Sequence, residues 1–398
     1  MKKTVAIIIL IFVAFCIFYF GQPVLNYGFV QLPILLILLL LIAVVLFTKL
    51  AVNPANKQLI IKQKPSKIFS ILIAVVLAYV IILPLATSLP MFRSESYRNL
   101  IGEVKDGNDL KNHIAPISLD EIRVVDERLA MLLGEKIIGS QPSLGSQAEI
   151  GDFTIQKVNN KLYWVAPLLH TGFLKWINNS EGTPGYVMVS ATNERDVKLV
   201  QDINGKPLKI KYQPEAFLGS EIKRHVYFSG YATIGLTDFS FEIDDAGNPF
   251  WIVTTYKKEI GFGGSDATGT LVVNAQTGEI TQYAMTDTPL WVDRIQPLHL
   301  IEEQLADWGE YVQGYWNWSN ENKLQITEGL TLVYGENHKS YWYTGLSSVG
   351  KEESTVGFVL VDTRTKETTY YKQSGATEYA AQSSAEGKVQ EKGYHASL

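Results

Sequence analysis

The sequence predicts an α+β protein in which three N-terminal transmembrane helices precede an extracytoplasmic domain of antiparallel sheets with interspersed helices. Three observations predict this fold class. The first 90 of the 398 residues hold three long apolar runs and no Asp or Glu. Beyond residue 150, short runs of β-branched and aromatic residues alternate with turn residues, as is typical of antiparallel strands. A few segments of helical period separate these runs.

The membrane domain, residues 1–90, owes its three predicted spans to apolar runs at about residues 4–20, 29–48 and 68–88. A helix rises about 1.5 Å per residue, so about 20 residues cross a hydrocarbon core of roughly 30 Å. The first run has about the minimum length for this. The third contains Pro84 near its end, which a membrane helix tolerates.

Lysines predict the orientation of this domain, because loops rich in Lys and Arg stay on the cytoplasmic side. Lys2 and Lys3 precede the first run, residues 49–67 are rich in lysine, and residues 21–27 carry no charge. We therefore expect a multi-pass protein of the cell membrane with a cytoplasmic N-terminus and an extracytoplasmic C-terminal domain. A cleaved signal peptide is the alternative for the first run, but that run is long and no small-residue cleavage site follows it.

Charge and cysteine content exclude several classes of function. The chain has 35 basic and 40 acidic residues. Seven of the lysines lie in residues 1–90, which leaves 28 basic against 40 acidic residues in the exported part, a net charge of −12. Nucleic-acid binding requires Lys and Arg to neutralise phosphates, so no nucleic acid is expected as a partner. The single cysteine, Cys16, lies in the first run, which excludes a disulfide framework and a thiolate metal site.

The exported part divides by sequence pattern into five segments. These are a polar juxtamembrane segment at 91–117, a first α/β module at 118–213, a second, strand-rich module at 214–297, a third module at 298–373, and an incomplete C-terminal helix at 374–398.

Two helices are predicted within these modules. Ser118 and Glu121 have the spacing of a capping box, and the apolar stripe that follows predicts a helix to about Leu133, ended by Gly134 or Gly139. An amphipathic stripe predicts the other helix over residues 296–312. A further helix-like segment covers residues 376–390, with little chain beyond it for the strands of a module.

Three strand pairs share one plan, in which an aromatic strand, a loop, a β-branched strand and a turn follow each other. The aromatic strands contain Tyr163–Val165, Phe250–Ile252 and Tyr341–Tyr343, and the β-branched strands are Gly185–Val189, Thr270–Val273 and Gly357–Val361. The turn Asn274–Glu279 has the sequence N-A-Q-T-G-E, and Asp362–Glu367 has D-T-R-T-K-E, with Lys366 at the glycine position.

These hairpins resemble PepSY-type modules, in which a helix is followed by strands and a turn close to D-x-x-T-G-E. The chain as a whole is similar to membrane proteins of Gram-positive bacteria. The resemblance implies tandem PepSY-like modules that bind or restrain a neighbouring protein, as in peptidase propeptides and cell-envelope proteins, and it supplies no catalytic residue. Turn chemistry alone is the alternative, since glycine accepts the positive φ of such a turn.

Residues that carry chemistry were sought and form no convergent pattern in the sequence. No two of the six histidines have the spacing of a zinc-binding helix. Glu303, Asp307 and Glu310 lie on one helix face, and a solvated face is the preferred interpretation. Residues 261–269 are glycine-rich but lack the Gly-Lys-Ser/Thr ending of a phosphate-binding loop, so a flexible hairpin connection is expected. We expect no catalytic residue, no cofactor and no metal.

One aromatic cluster stands out as a candidate site for binding a partner. It comprises Trp308, Tyr311, Tyr315, Trp316 and Trp318. Trp and Tyr are enriched at interfaces, although such residues also fill cores. The sequence therefore predicts a non-catalytic envelope protein, partnered by the lipid bilayer and by another envelope protein. A regulator or inhibitor of an envelope peptidase is the alternative, and a hydrolase of cell-wall polymer would need a convergent site that the sequence does not reveal.

Overall fold

A computed structural model describes most of the chain, namely residues 2–47, 49–52, 59–63, 67–108, 110, 122–145, 147–327, 329–335, 339–349 and 354–376. The chain divides into two units. One unit comprises residues 1–93, 226–235 and 257–265, and the other comprises residues 94–225, 236–256 and 266–398.

The first unit contains an apolar helix at each of the three predicted positions. These are α1 (Lys2–Gly21), α2 (Gln31–Phe47) and α3 (Lys67–Thr87). α2 packs against both α1 and α3. Within the described residues one helix, Ser70–Thr87, is long and apolar enough to cross a membrane, and the apolar stretches Ile7–Gly21 and Gln31–Val44 are shorter. The three helices are present, whereas three spans stay a prediction.

Two stretches that adjoin the apolar helices in the sequence contain strands that were not predicted. In the lysine-rich connection, β1 (Lys49–Val52) and β2 (Leu59–Gln63) form an antiparallel pair. In the juxtamembrane segment, α4 (Pro90–Arg98) leads into a 3₁₀ turn and the short strand β3 (Val104–Asp106). The juxtamembrane segment is therefore more structured than its polar composition indicates.

The first sheet follows helix α5 (Glu127–Gly139). Its other elements are α6 (Pro142–Gly145), β4 (Ala148–Ile150), β5 (Thr154–Val158), β6 (Lys161–His170), α7 (Phe173–Asn178), β7 (Tyr186–Ser190) and β8 (Val197–Val200). The strand order is β4-β6-β7-β8, and β5 also pairs with β6. A small hairpin of β9 (Asp202–Ile203) and β10 (Lys206–Pro207) follows.

Helix α5 begins later than the sequence predicts. The predicted cap residues Ser118 and Glu121 lie outside the described residues. The observed N-cap is Asp126, whose carboxylate accepts a hydrogen bond from Leu129 N at 2.7 Å. Residues 122–125 are not helical, because Val124 N and Val125 N both donate to the backbone carbonyl of Ala191. The helix ends at Gly139, the second of the two predicted ends.

The second sheet has four strands in sequential order. After α8 (Ile222–Val226) they are β11 (Gly235–Ile243), β12 (Pro249–Ile260), β13 (Gly263–Asn274) and β14 (Ile280–Ala284). The glycine-rich segment 261–269 is mostly strand, contrary to the expected flexible connection, and only residues 261–262 join β12 to β13. Gly261 permits this tight join through its positive φ of 62°.

The third sheet follows helix α9 (Leu298–Glu310), which confirms the helix predicted over residues 296–312. The strands are β15 (Leu324–Ile326), β16 (Thr331–Tyr334), β17 (Ser340–Ser348), β18 (Ser354–Asp362), β19 (Thr368–Tyr371) and β20 (Gly375–Ala376). The order is β15-β17-β18-β19-β3, where β3 joins in parallel. The predicted helix 376–390 lies outside the described residues apart from Ala376, which belongs to β20.

A hydrogen-bond pattern ties the first sheet to the segment before its helix. Val124 N and Val125 N donate to Ala191 O, at 2.9 and 3.0 Å. The indole Nε1 of Trp164, in β6, donates to Val125 O at 2.9 Å. Ala191 directly follows β7, so the pattern joins both central strands to the chain that enters α5.

The second and third sheets have the same pattern at corresponding places. The backbone amides of Lys211 and Tyr212 donate to Ala275 O, and those of Ile295 and Gln296 donate to Thr363 O, all at 2.8–3.0 Å. The indoles of Trp251 and Trp342 donate to Tyr212 O and Gln296 O at 2.7 and 2.9 Å. The fold is thus α+β with mostly antiparallel sheets, as predicted, and its three sheets share one local hydrogen-bond arrangement.

The largest buried core joins the first and third sheets. It includes Trp164 and Val187 of the first sheet, Trp342 and Val359 of the third, and Ile301 of α9. The amphipathic stripe of α9 thus faces this core, which leaves the end of α9 and the loop after it at the surface.

Candidate functional site

Helix α9 positions the predicted aromatic cluster. Its apolar stripe, with Ile301 and Leu305, is buried. Trp308 follows on the same stripe, packs against the core and meets the ring of Tyr370 edge to face, with 6.1 Å between ring centroids. Trp308 therefore supports the fold, and the structure separates it from the other four predicted residues.

The other four predicted residues form a continuous row with Tyr97 of α4. We call Tyr97, Tyr311, Tyr315, Trp316 and Trp318 the aromatic row. Its successive ring centroids are 6.4, 6.5, 5.1 and 5.8 Å apart. Tyr97 is buried, whereas Tyr315, Trp316 and Trp318 are 41%, 60% and 81% exposed. The row thus runs from the protein interior to the solvent and ends on two exposed indoles.

The loop that carries the row is fixed by its own hydrogen bonds. Asn317, which lies between the two exposed tryptophans in the sequence, is buried. Its Nδ2 donates to Glu321 O at 2.8 Å, and its Oδ1 accepts from Ser319 Oγ and Glu321 N at 3.1 and 3.2 Å. Lys323, mostly buried, pairs with Glu310 at 2.5 Å. Because the loop is already held in place, it would lose little conformational entropy when another molecule binds to it.

The helix face beside the row is acidic. Burial, together with the nearby carboxylates of Glu303 and Glu310, raises the pKa of Asp307 to about 6. Burial and Asp307 together raise the pKa of Tyr311 to about 12. The three carboxylates lie on one face as predicted, with Asp307 half-buried between two exposed neighbours. The surface beside Tyr311 therefore carries carboxyl groups.

Sequence reasoning missed a second cluster, which lies in the interior between the three sheets. We call Gln156, Glu242, Asp293, Arg294 and Tyr334 the polar junction. Asp293 Oδ2 accepts from the backbone amide of Lys157, in β5, at 2.7 Å. Tyr334 Oη, in β16, lies 3.4 Å from the same oxygen. Gln156 Oε1 accepts from the backbone amide of Ile243, in β11, at 2.9 Å.

The polar junction holds acidic groups that resist ionisation. Burial raises the pKa of Glu242 to about 8, although Arg294 opposes this shift. Burial likewise raises the pKa of Asp293 to about 6. Among the described residues, Glu242 Oε2 and Arg294 Nε have no hydrogen-bond partner. The members come from segments far apart in the sequence, and none has a local signal that would identify it.

Neither cluster has the ligands of a metal site. Within the described part of the chain, no group of three or more His, Cys, Asp or Glu side chains could hold a metal ion. Ser340 Oγ and Thr363 Oγ1 contact Asp293 through its backbone carbonyl, at 3.0 and 2.8 Å. The hydrogen bonds of the polar junction thus join segments of all three sheets, whereas the aromatic row ends on two indoles exposed at the surface.

Comparison with known proteins leaves the family of this chain open. The sequence matches no protein-family model and no curated protein. Among solved structures, it is similar to a thermostable family-43 glycoside hydrolase, at 14% identity and a TM-score of 0.19. The similarity covers 58% of this chain and 57% of that one. A likeness at this TM-score carries no argument about fold or function.

Proposed function

We propose that this protein is a membrane-anchored, non-catalytic protein of the cell envelope whose exported domain binds another envelope protein through the aromatic row. The observation that carries the proposal is the exposure of Trp316 and Trp318 on a loop that hydrogen bonds hold in one conformation. Exposed indoles are costly in water, and tryptophan is the residue most enriched in the energetic centres of protein interfaces.

The membrane anchor is part of the proposal, with three spans and a cytoplasmic N-terminus. Its support is the presence of apolar helices at the three expected positions and the lysines that flank them. Large apolar side chains such as Ile8, Phe12 and Ile71 are exposed on these helices. A lipid bilayer would cover such surfaces, which water does not favour.

The exported domain is proposed to consist of tandem PepSY-like modules. Support comes from the three-fold recurrence of the indole hydrogen bond and of the paired backbone amides that bind one carbonyl. The turns after β13 and β18 also share one hydrogen-bond arrangement. Asn274 and Asp362 each accept two backbone amides of their own turn through Oδ1, at 2.8–3.0 Å. Modules of this kind bind or restrain neighbours in the family that the sequence resembles.

The partner is expected to present an apolar surface with basic groups at its rim. Trp316 and Trp318 supply the apolar contact, and the acidic face of α9 lies beside Tyr311 of the same row. The exported part as a whole carries a net charge of −12. Complementary charge would accelerate association and select among partners more than it would add affinity.

The first test is crosslinking in intact cells that express the full chain, followed by purification and mass spectrometry. We expect one envelope protein in stoichiometric amount with the natural sequence, and its loss in the double variant Trp316→Ala/Trp318→Ala. The matched control is Leu174→Ala/Ile177→Ala, which removes exposed apolar side chains from α7 and should keep the partner. Recovery of the protein alone, or equal recovery with the tryptophan variant, would contradict the proposal.

The same experiment addresses regulation of a peptidase, the alternative role. If the recovered partner is an envelope peptidase, its cleavage of natural substrates should change when the chain is deleted and should return with the natural sequence. Failure of the tryptophan variant to restore normal cleavage would assign that regulation to the aromatic row.

A further inference from the structure

A cleft in the first sheet forms a second candidate binding surface, separate from the aromatic row. Its volume is about 810 Å³. One wall is helix α5, from Asp126 to Gly139, and the other is β4 with the residues that follow it, Ala148 to Phe153. The cleft therefore lies between a helix and the residues of a strand and its C-terminal extension.

The strand wall is an edge of its sheet. β4 is the terminal strand in the order β4-β6-β7-β8, with no neighbour on its other side among the described residues. Gly151 N donates inward to Pro167 O at 2.9 Å. Since hydrogen-bonding directions alternate along a strand, the amide of Ile150, the last residue of β4, points away from β6. Such an edge offers backbone groups to which another extended chain can pair.

The close approach of α5 to the strand wall depends on Gly134, and Gly151 lets the strand wall pack closely on β6. A Cβ at Gly134 of α5 would lie 3.0 Å from both Ile150 and Phe153. A Cβ at Gly151 would lie 2.8 Å from Leu169. The helix and the edge strand therefore pack tightly at one end, which gives the cleft a fixed floor.

The charge of the lining indicates which peptide would fit. The cleft is lined by five carboxylates and one guanidinium. The guanidinium is that of Arg128, and the carboxylates are those of Asp126, Glu127, Glu135, Glu149 and Asp152. Apolar side chains such as Met131 and Ile138 lie between them. Glu149 on the edge strand would repel an acidic chain and attract a basic one. An occupant with alternating basic and apolar residues matches both features.

We propose that this cleft binds a basic, extended peptide segment of a partner protein, which pairs with β4 as an additional strand. The backbone of the segment bonds to the free edge at Ile150. Its Lys or Arg side chains meet the carboxylates of Glu135 and Glu149, and its apolar side chains contact the cleft between them. The aromatic row is not part of this surface, so the two sites can be tested separately.

The test uses the full chain in detergent micelles and a pool of labelled decapeptides in which Lys or Arg alternates with Val, Leu or Tyr. We expect binding to weaken at least tenfold in the variant Glu135→Lys/Glu149→Lys. The control Glu181→Lys/Glu215→Lys makes the same change of charge elsewhere and should bind as the natural protein does. All four side chains are exposed, so both variants should fold.

Hydrogen exchange supplies the second measurement. Binding should slow exchange of the backbone amides in residues 148–153, since strand addition would protect them. Absence of binding by the natural chain would overturn the proposal. Equal loss of peptide binding in both charge variants would show that binding depends on net charge alone. Binding without protection of residues 148–153 would exclude strand addition. Either result would also overturn the proposal.

Discussion

Two groups of tryptophans differ in their burial and in whether they recur in the three sheets. Trp164, Trp251 and Trp342 are buried, occupy equivalent strands and donate the same indole hydrogen bond to the backbone. Trp316 and Trp318 are exposed and occur after one helix only. The recurrent tryptophans hold each sheet to the segment that precedes its helix. What recurs in the three sheets therefore builds the fold, and what occurs once is where a specific function is to be sought.

The largest expected effect comes from the recurrent group. Trp342→Ala removes a core side chain that is 4% exposed, and we expect a loss of about 3–5 kcal/mol in the free energy of unfolding. Trp342→Phe keeps most of the volume but leaves Gln296 O without its donor, which should cost about 1–3 kcal/mol. Denaturant unfolding of the full chain in micelles measures both. Equal stability of the alanine variant and the natural protein would refute the structural role.

The polar junction, which occurs once, is expected to make stability depend on pH. Burial raises the pKa of Glu242 from an ordinary 4.5 to about 8. The folded state then binds more protons than the unfolded state between these values, so stability falls as pH rises from about 5 to 8. Asp293 acts in the same direction at lower pH, because its pKa is raised to about 6.

Substitution of one carboxyl group isolates this dependence. Glu242→Gln removes the titrating group and keeps the shape of the side chain, so the melting temperature should vary much less between pH 5 and 8. The exposed Glu215→Gln is the matched control and should keep the natural profile. A natural protein whose melting temperature rises over this range would contradict the assignment.

The corresponding turns of the second and third sheets offer a finer test. Gly278 and Lys366 both have positive φ, 76° and 64°. A Cβ at Gly278 would lie 2.4 Å from the ring of Tyr212, so glycine is required there. Lys366 instead uses its side chain, which donates to Leu100 O at 2.9 Å and pairs with Asp266 at 2.6 Å.

These contacts predict an order of stability for two variants. Lys366→Met loses the charged hydrogen bonds and should cost about 1–3 kcal/mol. Lys366→Gly loses them too, but it also relieves about 1 kcal/mol of left-handed backbone strain, so it should be the milder change. Thermal unfolding of the two variants side by side measures the difference. The reverse order would show that the lysine backbone is not strained.

Local patterns in the sequence predicted the parts of the fold that depend on local physics. The stripe with Ile301 and Leu305 located α9, and alternating aromatic and β-branched residues located the central strands. The start of α5 was predicted too early, because the amides of Val124 and Val125 are taken up by a residue distant in sequence, Ala191. Strand β3 was missed for the same reason, since its partner β19 lies at the far end of the chain.

Sites were less predictable than strands because they depend on which distant segments meet. Four members of the aromatic row were found because they are neighbours in sequence, whereas Tyr97 joined them only through the fold. Glu242 carries no local signal, since one acidic residue in a strand pattern is usually a solvated one. Only burial between three sheets makes it distinctive.

The smallest expected effect on stability is the most informative about function. Trp316→Ala and Trp318→Ala remove side chains that are mostly in water, so the free energy of unfolding should change by no more than about 0.5 kcal/mol. Unfolding measured as for Trp342→Ala provides the comparison. A loss of several kcal/mol would place these indoles with the recurrent tryptophans as part of the fold. An unchanged stability means that the fold gains nothing from keeping two indoles exposed, as the proposed role of the aromatic row requires.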